Sequence, residues 1–340
     1  MIRLGLMGCG VVASYGHVPA IARTAGCKLV SIFEPDSARL IDAKDRYKVD
    51  KGFTDPDLFF QSGFDAVVVT SPAPAHLENV TMAARYGKPV LCEKPLAMNE
   101  AESLQMIEIM ERAKLPLYVG FVYRFSPVAM EIKRLVAEGA IGQVRSLRLI
   151  YLWDCHGKYC GRLDTNPLNP ARHGRMIEGG PMVDCGVHQI DLARWWLGSE
   201  VKRATAAGAW VDTEHDAPDH MYLHLDHDTG AHTMVEMSYS YGHTSKDQRC
   251  QFYYELIGTD GVLRYDRQGR VFELVSRHGT RHLYWTEEKN FEGMYAEFVR
   301  ALQTGVPGNM PTARDGLAAT RIARVATEEV MRAKPAAANA

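Results

Sequence analysis

The sequence has no long hydrophobic run. Its apolar stretch Ala66–Val69 ends at Thr70, far short of the ~20 apolar residues that a transmembrane helix needs. Residues 1–7 form an apolar segment that is too brief and too soon interrupted to be a signal peptide. These absences predict a protein that lies neither in a membrane nor outside the cell, and we expect it in the cytoplasm.

The sequence also lacks an excess of charge of either sign. Lys and Arg total 39 against 41 Asp and Glu, a net charge of -2. A nucleic-acid-binding surface needs clustered positive charge to neutralise phosphates, so we expect no nucleic acid partner. The hydrophobic fraction of 46% and the charged fraction of 24% are those of an average globular protein, which excludes a disordered chain, collagen and coiled coil.

The seven cysteines are odd in number and scattered, so they form no disulfide framework. Cys155 and Cys160 lie beside His156, and a zinc site there has to be weighed. Zinc sites usually combine two closely spaced pairs of ligands, and the sequence contains no second pair. We therefore predict free thiols in a reducing compartment and no metal site.

The first 120 residues alternate short apolar runs with helical patterns. Parallel strands that are covered by helices on both faces read as continuous apolar runs. This alternation predicts an α/β protein with an N-terminal doubly wound parallel sheet of the Rossmann type. The predicted strands are residues 2–7, 28–33, 66–70, 89–92 and 117–121, and the predicted helices lie near 12–25, 36–47, 75–86 and 99–114.

The second part of the chain is rich in strand patterns. Residues 201–285 read mostly as strands, with turn signals at 228–230 and 258–261. Helical patterns precede and follow them, which predicts a C-terminal α+β domain with a largely antiparallel open sheet. We place the domains at residues 1–122 and 123–340.

A G-x-G-x-x-G/A pattern directly follows the first predicted strand. Gly8 permits a tight turn, Gly10 lets the backbone approach a pyrophosphate, and Ala13 allows close helix packing. The helix that begins here offers N–H donors to phosphate oxygens. Glycines turn many strand-to-helix corners, but the place of this motif in the first βα unit favours a dinucleotide site that includes Val11 and Val12.

An acidic residue, Glu34, ends the second predicted strand. Its carboxylate could accept hydrogen bonds from the adenosine ribose and would repel a 2′-phosphate, which favours NAD over NADP. Arg39 lies nearby in the sequence and could bind a 2′-phosphate, so NADP remains possible. In the alternative interpretation Glu34 is a solvated residue at a strand end.

Three further motifs are more specific: CEKPLA at 92–97, GFVYRFSP at 120–127 and GGPMVDCGVHQID at 179–191. Together with His17-Val18-Pro19-Ala20, Thr70-Ser71-Pro72 and the segment 311–316, they closely resemble the Gfo/Idh/MocA family of sugar and polyol oxidoreductases. The resemblance runs through most of the chain. It is specific for the family and says little about the substrate.

The resemblance implies a dehydrogenase that transfers hydride between nicotinamide and a secondary alcohol of a sugar, inositol or polyol. It makes Lys94 the catalytic lysine, and Asp184 and His188 the pair on the substrate side. It also implies sheet-to-sheet homodimers or homotetramers. The family often has a polar or basic residue where this chain has Val122 or Tyr123, so contacts there can differ. The other residues expected near the cofactor are Thr70, Ser71, Pro72, His76, Glu93, Lys94 and Arg124.

The spacing of Asp184, His188 and Asp191 supports these roles independently, because residues at i, i+4 and i+7 share one face of a helix. A histidine titrates near neutral pH, so His188 can take a hydroxyl proton while hydride leaves the same carbon. Asp184 could hold a substrate hydroxyl or orient the base, and Lys94 can stabilise negative charge on the reacting oxygen. Singly, each could instead be structural: a half-buried histidine, or a charge favoured near a helix N-terminus.

Polar and aromatic side chains crowd the segment before the glycine pair at 179–180. Long loops of this kind often carry specificity in α/β enzymes, and aromatic faces can pack on the C–H surface of a sugar. The alternative is a surface or interface loop. The substrate contacts predicted here are Trp153, His156, Tyr159 and Arg172, with Tyr123 from the motif at 120–127.

Two other functions compete with a net dehydrogenase. In the first, tightly held NAD transiently oxidises a sugar carbon, which makes the protein a redox-neutral glycosidase or lyase. In the second, the protein is a non-catalytic, dinucleotide-dependent regulator. The presence of Lys94, Asp184 and His188 speaks against a regulator, since a sensor needs no proton-transfer groups.

Overall fold

The computed structural model describes most of the chain: residues 1–155, 170–211, 215–243, 245, 247, 249–287 and 289–334, with only the backbone described at 170–173. The predicted substrate residues His156 and Tyr159 lie outside the described residues, as does the side chain of Arg172. The chain divides into two compact units. The first consists of Met1–Ser126 and Lys289–Thr320, and the second of Pro127–Glu288 and Arg321–Ala340.

The first unit contains a parallel sheet with the strand order β3-β2-β1-β4-β5-β6. The order reverses between β1 and β4, and ligands of open α/β sheets bind at such a reversal, beyond the carboxyl ends of the strands. The doubly wound parallel sheet predicted from the sequence is confirmed. The six strands are β1 (Ile2–Met7), β2 (Cys27–Phe33), β3 (Lys51–Phe53), β4 (Ala66–Val69), β5 (Val90–Cys92) and β6 (Leu117–Val119).

Helices connect these strands, and three of them begin at an Asp or Asn cap. The side chains of Asp36, Asp55 and Asn99 each accept a hydrogen bond from the backbone N–H three residues later, which satisfies a donor that the helix itself leaves unpaired. The helices are α1 (Val18–Arg23), α2 (Ser37–Tyr47), α3 (Pro56–Phe60), α4 (His76–Arg85) and α5 (Glu100–Arg112). Shorter turns lie at Ala13–His17 (π), Ala73–Ala75 and Val122–Phe125 (both 3-10).

The second unit contains a mixed sheet with the order β14-β13-β12-β11-β7-β10-β9-β8. Only the β7–β10 pair in this described sheet is parallel, and its other neighbours run antiparallel. The predicted, largely antiparallel sheet is therefore confirmed. The strands are β7 (Val144–Leu152), β8 (Val201–Ala209), β9 (His220–His227), β10 (His232–Ser238), β11 (Gln251–Gly258), β12 (Gly261–Asp266), β13 (Val271–Ser276) and β14 (Gly279–His282).

Helices α6 (Pro127–Ala137), α7 (Pro170–Ile177) and α8 (Val187–Leu197) belong to the second unit. Strand β9 alternates buried Met221, Leu223 and Leu225 with more exposed neighbours, so one face of the sheet forms the core. Helix α8 packs on β7 and β10 and is buried along nearly its whole length. A helix buried on all sides holds its polar side chains in fixed positions, which matters for the site described below.

Two C-terminal helices follow: α9 (Phe291–Thr304) and α10 (Ala313–Arg332). Helix α9 inserts Met294, Tyr295 and Phe298 into the same buried cluster as Leu4 and Leu91. Residues 289–320 therefore complete the core of the first unit. The sequence predicts a single boundary after residue 122. In the structure the chain leaves the first unit after residue 126 and returns to it at residue 289, just before α9.

Three chemical features of the described part of the chain bear on function. No described helix is both long enough and apolar enough to cross a membrane. Among the same residues, no group of three or more His, Cys, Asp or Glu is placed to hold a metal ion. The six cysteines that the structure describes are free thiols.

Candidate active site

Residues 8–10, the glycine loop, join β1 to a helical segment that begins at Val11. Gly8 has a φ of +94°, and a Cβ atom on it would lie 2.7 Å from the backbone nitrogen of Ser71, so only glycine fits. A Cβ atom on Gly10 would meet no described atom within 4 Å. The residues fit a pyrophosphate, because the open space lies at a helix start, where the first N–H groups have no intrahelical partner.

Glu34 directly follows β2 and contacts the glycine loop. Its Oε2 accepts a hydrogen bond from the Cys9 N–H at 3.0 Å, and its Oε1 accepts one from the Asp36 N–H at 3.3 Å. The Arg39 guanidinium lies 2.8 Å from Oε1. A carboxylate oxygen can accept more than one hydrogen bond, so Oε2 keeps capacity for a ribose hydroxyl, and the predicted contact with the ribose stays a prediction.

A small network braces the glycine loop from α2. The Tyr47 hydroxyl donates to the Cys9 carbonyl at 3.3 Å and lies 2.7 Å from the Ser14 hydroxyl. Burial, and then the charge of Glu34, raise the pKa of the Cys9 thiol to about 12. The thiol therefore stays neutral and adds no negative charge beside a bound pyrophosphate.

The residues after β4 lie against the glycine loop. The Thr70 hydroxyl donates to the Gly8 carbonyl at 2.6 Å, and the Ser71 hydroxyl accepts from the Asn79 amide at 2.8 Å. Pro72 caps the 3-10 turn that follows. The structure thus brings Thr70 and Ser71 together with the glycine loop, and their predicted contact with the cofactor stays a prediction.

Lys94 lies just beyond the carboxyl end of β5. Strands β1, β4 and β5 are neighbours in the sheet, so Lys94 and the glycine loop share one sheet edge. The backbone N–H of Lys94 donates to Glu93 Oε2 at 3.2 Å. Lys94 is half-buried and Glu93 is buried, which fixes the start of the loop that carries the lysine.

The family resemblance places His76 beside the cofactor. In the structure His76 contacts the residues directly after Lys94, within what we call the lysine loop (residues 93–97). Its Nδ1 lies 3.0 Å from the Pro95 carbonyl and 3.1 Å from that of Leu96, and its Nε2 lies 2.9 Å from the Ser71 carbonyl. Burial lowers the pKa of His76, although these carbonyls oppose the shift. The contacts tie the loop after Lys94 to the end of β4.

Tyr123 and Arg124 lie in the buried 3-10 turn after β6. The Arg124 guanidinium is 3.3 Å from the Asp315 carboxylate at the start of α10. The Lys289 ammonium is 5.3 Å from the centre of the Tyr123 ring, a cation–π distance. Both predicted roles, cofactor contact for Arg124 and substrate contact for Tyr123, stay predictions.

In the second unit, Asp184 lies in a π-helical turn, Met182–Gly186, that leads into α8. Its Oδ2 accepts a hydrogen bond from the Tyr239 hydroxyl and lies 3.6 Å from Arg175 Nε. Burial, and then the Asp184 charge, raise the pKa of Tyr239 far above its usual value, so this hydroxyl remains a donor. Burial alone would lower the pKa of Arg175, but the charge of Asp184 raises it.

Trp153, predicted to offer a face to a sugar, joins the Asp184 cluster. Its ring meets the Tyr239 ring edge-on at 5.5 Å, and the Arg175 guanidinium lies 5.7 Å from its centre. The Cys155 thiol accepts a weak contact from Arg175 at 3.7 Å. The structure therefore brings together Trp153 and Asp184, two of the residues predicted to bind the substrate.

His188 lies on α8, four residues after Asp184, and both are 6% exposed. The sequence predicts one regular helical face for Asp184, His188 and Asp191. The structure places Asp184 in a π turn that runs directly into α8, which carries the buried His188 and Asp191, and the shared face stays a prediction. Lys94 belongs to the first unit and this pair to the second.

Sequence reasoning missed several residues that shape these sites. Tyr239 directly follows β10, so its place at a strand end is a signal that could have found it. Arg175 is one of many polar residues in its segment, and nothing local distinguishes it. The two π turns, at Ala13–His17 and Met182–Gly186, have no sequence signature, although such turns are frequent at functional sites.

The fold and site together define a dinucleotide-dependent oxidoreductase: a doubly wound sheet with a glycine loop and acidic residue, and a lysine at the same sheet edge. Family models agree. The model described as an oxidoreductase family with an NAD-binding Rossmann fold matches residues 2–121, and the GFO/IDH/MocA C-terminal domain matches residues 129–264. The chain belongs to the Gfo/Idh/MocA family and is an NAD-binding oxidoreductase.

Similar proteins include scyllo-inositol 2-dehydrogenase (NAD(+)) of Bacillus subtilis, 28% identical, covering 90% of this chain and 88% of that protein. D-apiose dehydrogenase of Paraburkholderia graminis is 29% identical over 81% of this chain and 70% of that protein. An inositol dehydrogenase homolog from Azotobacter vinelandii, solved with NADH and myo-inositol, has a TM-score of 0.81 at 18% identity. It covers 97% of this chain and 96% of its own, which shows a shared fold.

The contacts of Glu34 lead to a prediction about cofactor choice. We expect Glu34→Ala to raise the ratio of kcat/KM with NADP to that with NAD by about tenfold or more, the effect of roughly 1.4 kcal/mol. The substitution removes a negative charge and leaves the Arg39 guanidinium to meet a 2′-phosphate. Initial rates with each cofactor measure the ratio. The double variant Glu34→Ala/Arg39→Ala is the control, and an equal gain in both variants would contradict the role given to Arg39.

Proposed function

We propose that this protein oxidises a secondary hydroxyl group of a sugar, inositol or related polyol with NAD. The observation that carries the proposal is the position of Lys94, which lies just beyond the carboxyl end of β5, at the same end of the parallel strands as the glycine loop. A cation there suits a reacting oxygen beside a nicotinamide. The names of the relatives, which are inositol and apiose dehydrogenases, support this class of substrate.

Each residue of the candidate site has a separate role in the proposed reaction. The glycine loop and Glu34 would hold NAD, whose nicotinamide would supply the hydride acceptor. Lys94 hydrogen-bonds the reacting oxygen through Nζ and stabilises its negative charge. His188 takes the hydroxyl proton on a ring nitrogen. Asp184, held by Tyr239 and Arg175, orients the substrate or the base.

A turnover screen tests the proposal. The purified protein is incubated with a panel of inositols, aldoses and polyols and with NAD or NADP, and the absorbance of the reduced cofactor is followed. We expect saturable NADH formation with at least one cyclic polyol or sugar. Substrate consumption without net NADH would support redox-neutral chemistry instead, and the absence of any turnover would contradict both.

We also propose that the protein works as a homodimer or homotetramer. The outward face of the second unit's sheet carries large side chains that no described helix covers fully: Tyr222 is 38% exposed and Ile257 40%. A sheet face of this kind is suited to an isologous contact with a second copy.

The free thiols of the described cysteines fit a reducing compartment, and we propose the cytoplasm.

Light scattering at micromolar concentration should give two or four times the mass of one chain. We expect Tyr222→Glu to shift the protein towards the monomer, because the new carboxylate would be buried on the sheet face. Glu328→Gln, an exposed change on α10, is the control. A monomeric wild-type protein would contradict the proposal.

A further inference from the structure

A buried chain of three side chains reaches the lysine loop within the first unit. Glu93 Oε1 lies 2.8 Å from His17 Nε2, and His17 Nδ1 lies 2.7 Å from the Tyr295 hydroxyl. His17 and Tyr295 are 0% exposed and Glu93 is 6% exposed. His17 comes from the π turn behind the glycine loop and Tyr295 from α9. The chain of hydrogen bonds ends one residue before Lys94.

We propose that His17 is a positioning residue for Lys94, that it acts through the Glu93 carboxylate, and that Tyr295 fixes the orientation of its ring. The inference rests on the proposed function in one respect: it takes Lys94 to be the group that touches the reacting oxygen. It concerns contacts that lie entirely within the first unit.

The direction of the hydrogen bonds follows from the chemistry of the two ends. Burial raises the pKa of Tyr295 far above its usual value, so its hydroxyl remains a donor. A His17 ring that accepts this bond at Nδ1 carries its proton on Nε2 and donates it to Glu93. Burial alone would raise the pKa of Glu93, but the hydrogen bond with His17 and the nearby Lys94 lower it. Glu93 is therefore an ionised acceptor.

The Glu93 carboxylate has little freedom to move. A Cβ atom on Gly120 would lie 2.7 Å from Glu93 Oε1. The backbone of Gly120 therefore packs closely against the carboxylate. Oε2 accepts the backbone N–H of Lys94 at 3.2 Å. His17 thus holds one oxygen of a carboxylate whose other oxygen holds the lysine's own backbone. A shift of about 1 Å in a catalytic group can cost about 100-fold in rate.

Two amide substitutions at His17 distinguish the hydrogen bond made by Nε2 from the one made by Nδ1. A glutamine amide reaches about as far as Nε2 and can donate to Glu93, whereas an asparagine reaches about as far as Nδ1 and can accept from Tyr295. We expect His17→Asn to lower kcat by about 10- to 100-fold and His17→Gln to lower it several-fold less. The Kd for NAD and the Tm should change similarly in both, because each variant replaces the same buried ring.

Chemical labelling of Lys94 gives a second readout in the cofactor-free protein. The rate of acetylation by acetic anhydride is measured by peptide mass spectrometry and divided by the rate at Lys28, an exposed lysine of β2. We expect this ratio to change by about threefold or more in His17→Asn and to stay nearer the wild-type value in His17→Gln. Because labelling needs no substrate, it tests His17 even if the turnover screen fails.

Equal kcat values and equal labelling ratios in the two folded variants would overturn the proposal. If both variants fail to fold, Gly120→Ala tests the same carboxylate from its other side, since the new methyl group would displace Glu93 Oε1 and leave His17 in place. A lower kcat with a changed Lys94 labelling ratio would support the proposal. Unchanged values of both in folded Gly120→Ala would overturn it.

Discussion

The Lys94→Ala variant is expected to lose about 10²- to 10⁴-fold in kcat, or roughly 3–5 kcal/mol of transition-state stabilisation. Lys94 lies at the end of β5, where its ammonium can hold the reacting oxygen as negative charge develops. The Kd for NAD should change little, because the glycine loop and Glu34 are the groups proposed to bind the other end of the cofactor. Initial rates with the best substrate of the turnover screen measure kcat, and NADH fluorescence titration measures cofactor affinity.

Two variants control this prediction. Lys28→Ala removes the same charge from an exposed position at the start of β2, far along the strand from Glu34, and should leave kcat unchanged. Lys94→Arg keeps the positive charge but replaces a compact ammonium by a planar fork, so it should recover only part of the rate. If Lys94→Ala retains more than about a tenth of the wild-type kcat, a loss below 1.4 kcal/mol, Lys94 does not carry the chemistry.

Much of the fold could be predicted because the signals are local. The run Ala66–Val69 is fully buried, as expected for a strand covered on both faces, and the glycine loop follows β1 where the motif requires it. The short edge strand Lys51–Phe53 was missed, because three residues with a lysine and a glycine show no apolar run. The place of α9 was also missed, since its apolar face does not reveal which core it fills.

In the candidate site, too, the residues marked by local sequence signals could be predicted, and their long-range partners could not. Glu34 could be predicted from its distance to the glycines, and its contact with the Cys9 N–H depends on the strand order that the alternation predicts. The partners of His17 and Asp184 could not be predicted. Tyr295 lies 278 positions from His17 and Tyr239 lies 55 from Asp184, so only the tertiary fold brings these pairs together.

The contacts of Asp184 also bear on which group can accept a proton in the proposed reaction. Tyr239 and Arg175 both contact Asp184, and their raised pKa values keep the first a donor and the second a cation at neutral pH. Neither can therefore act as a base. A histidine is the side chain whose ordinary pKa lies close to neutrality, and in the proposed function His188 is the proton acceptor.

We therefore expect His188→Asn to lower kcat by about 10²- to 10⁴-fold at neutral pH, the usual loss when a general base is removed. Asparagine keeps a polar side chain in the buried position on α8 but has no nitrogen that titrates near neutrality. The Kd for NAD should stay close to the wild-type value. The measurement is kcat at neutral pH, from initial rates with the best substrate of the turnover screen.

His278→Asn is the matched control, because it makes the same chemical change at an exposed residue between β13 and β14. It should leave kcat unchanged. Thermal melting of His188→Asn separates a catalytic loss from unfolding, since a folded variant with low kcat supports the role as base. If the folded variant keeps most of the wild-type kcat at neutral pH, His188 is a structural residue, and the proton acceptor must be sought first at Lys94.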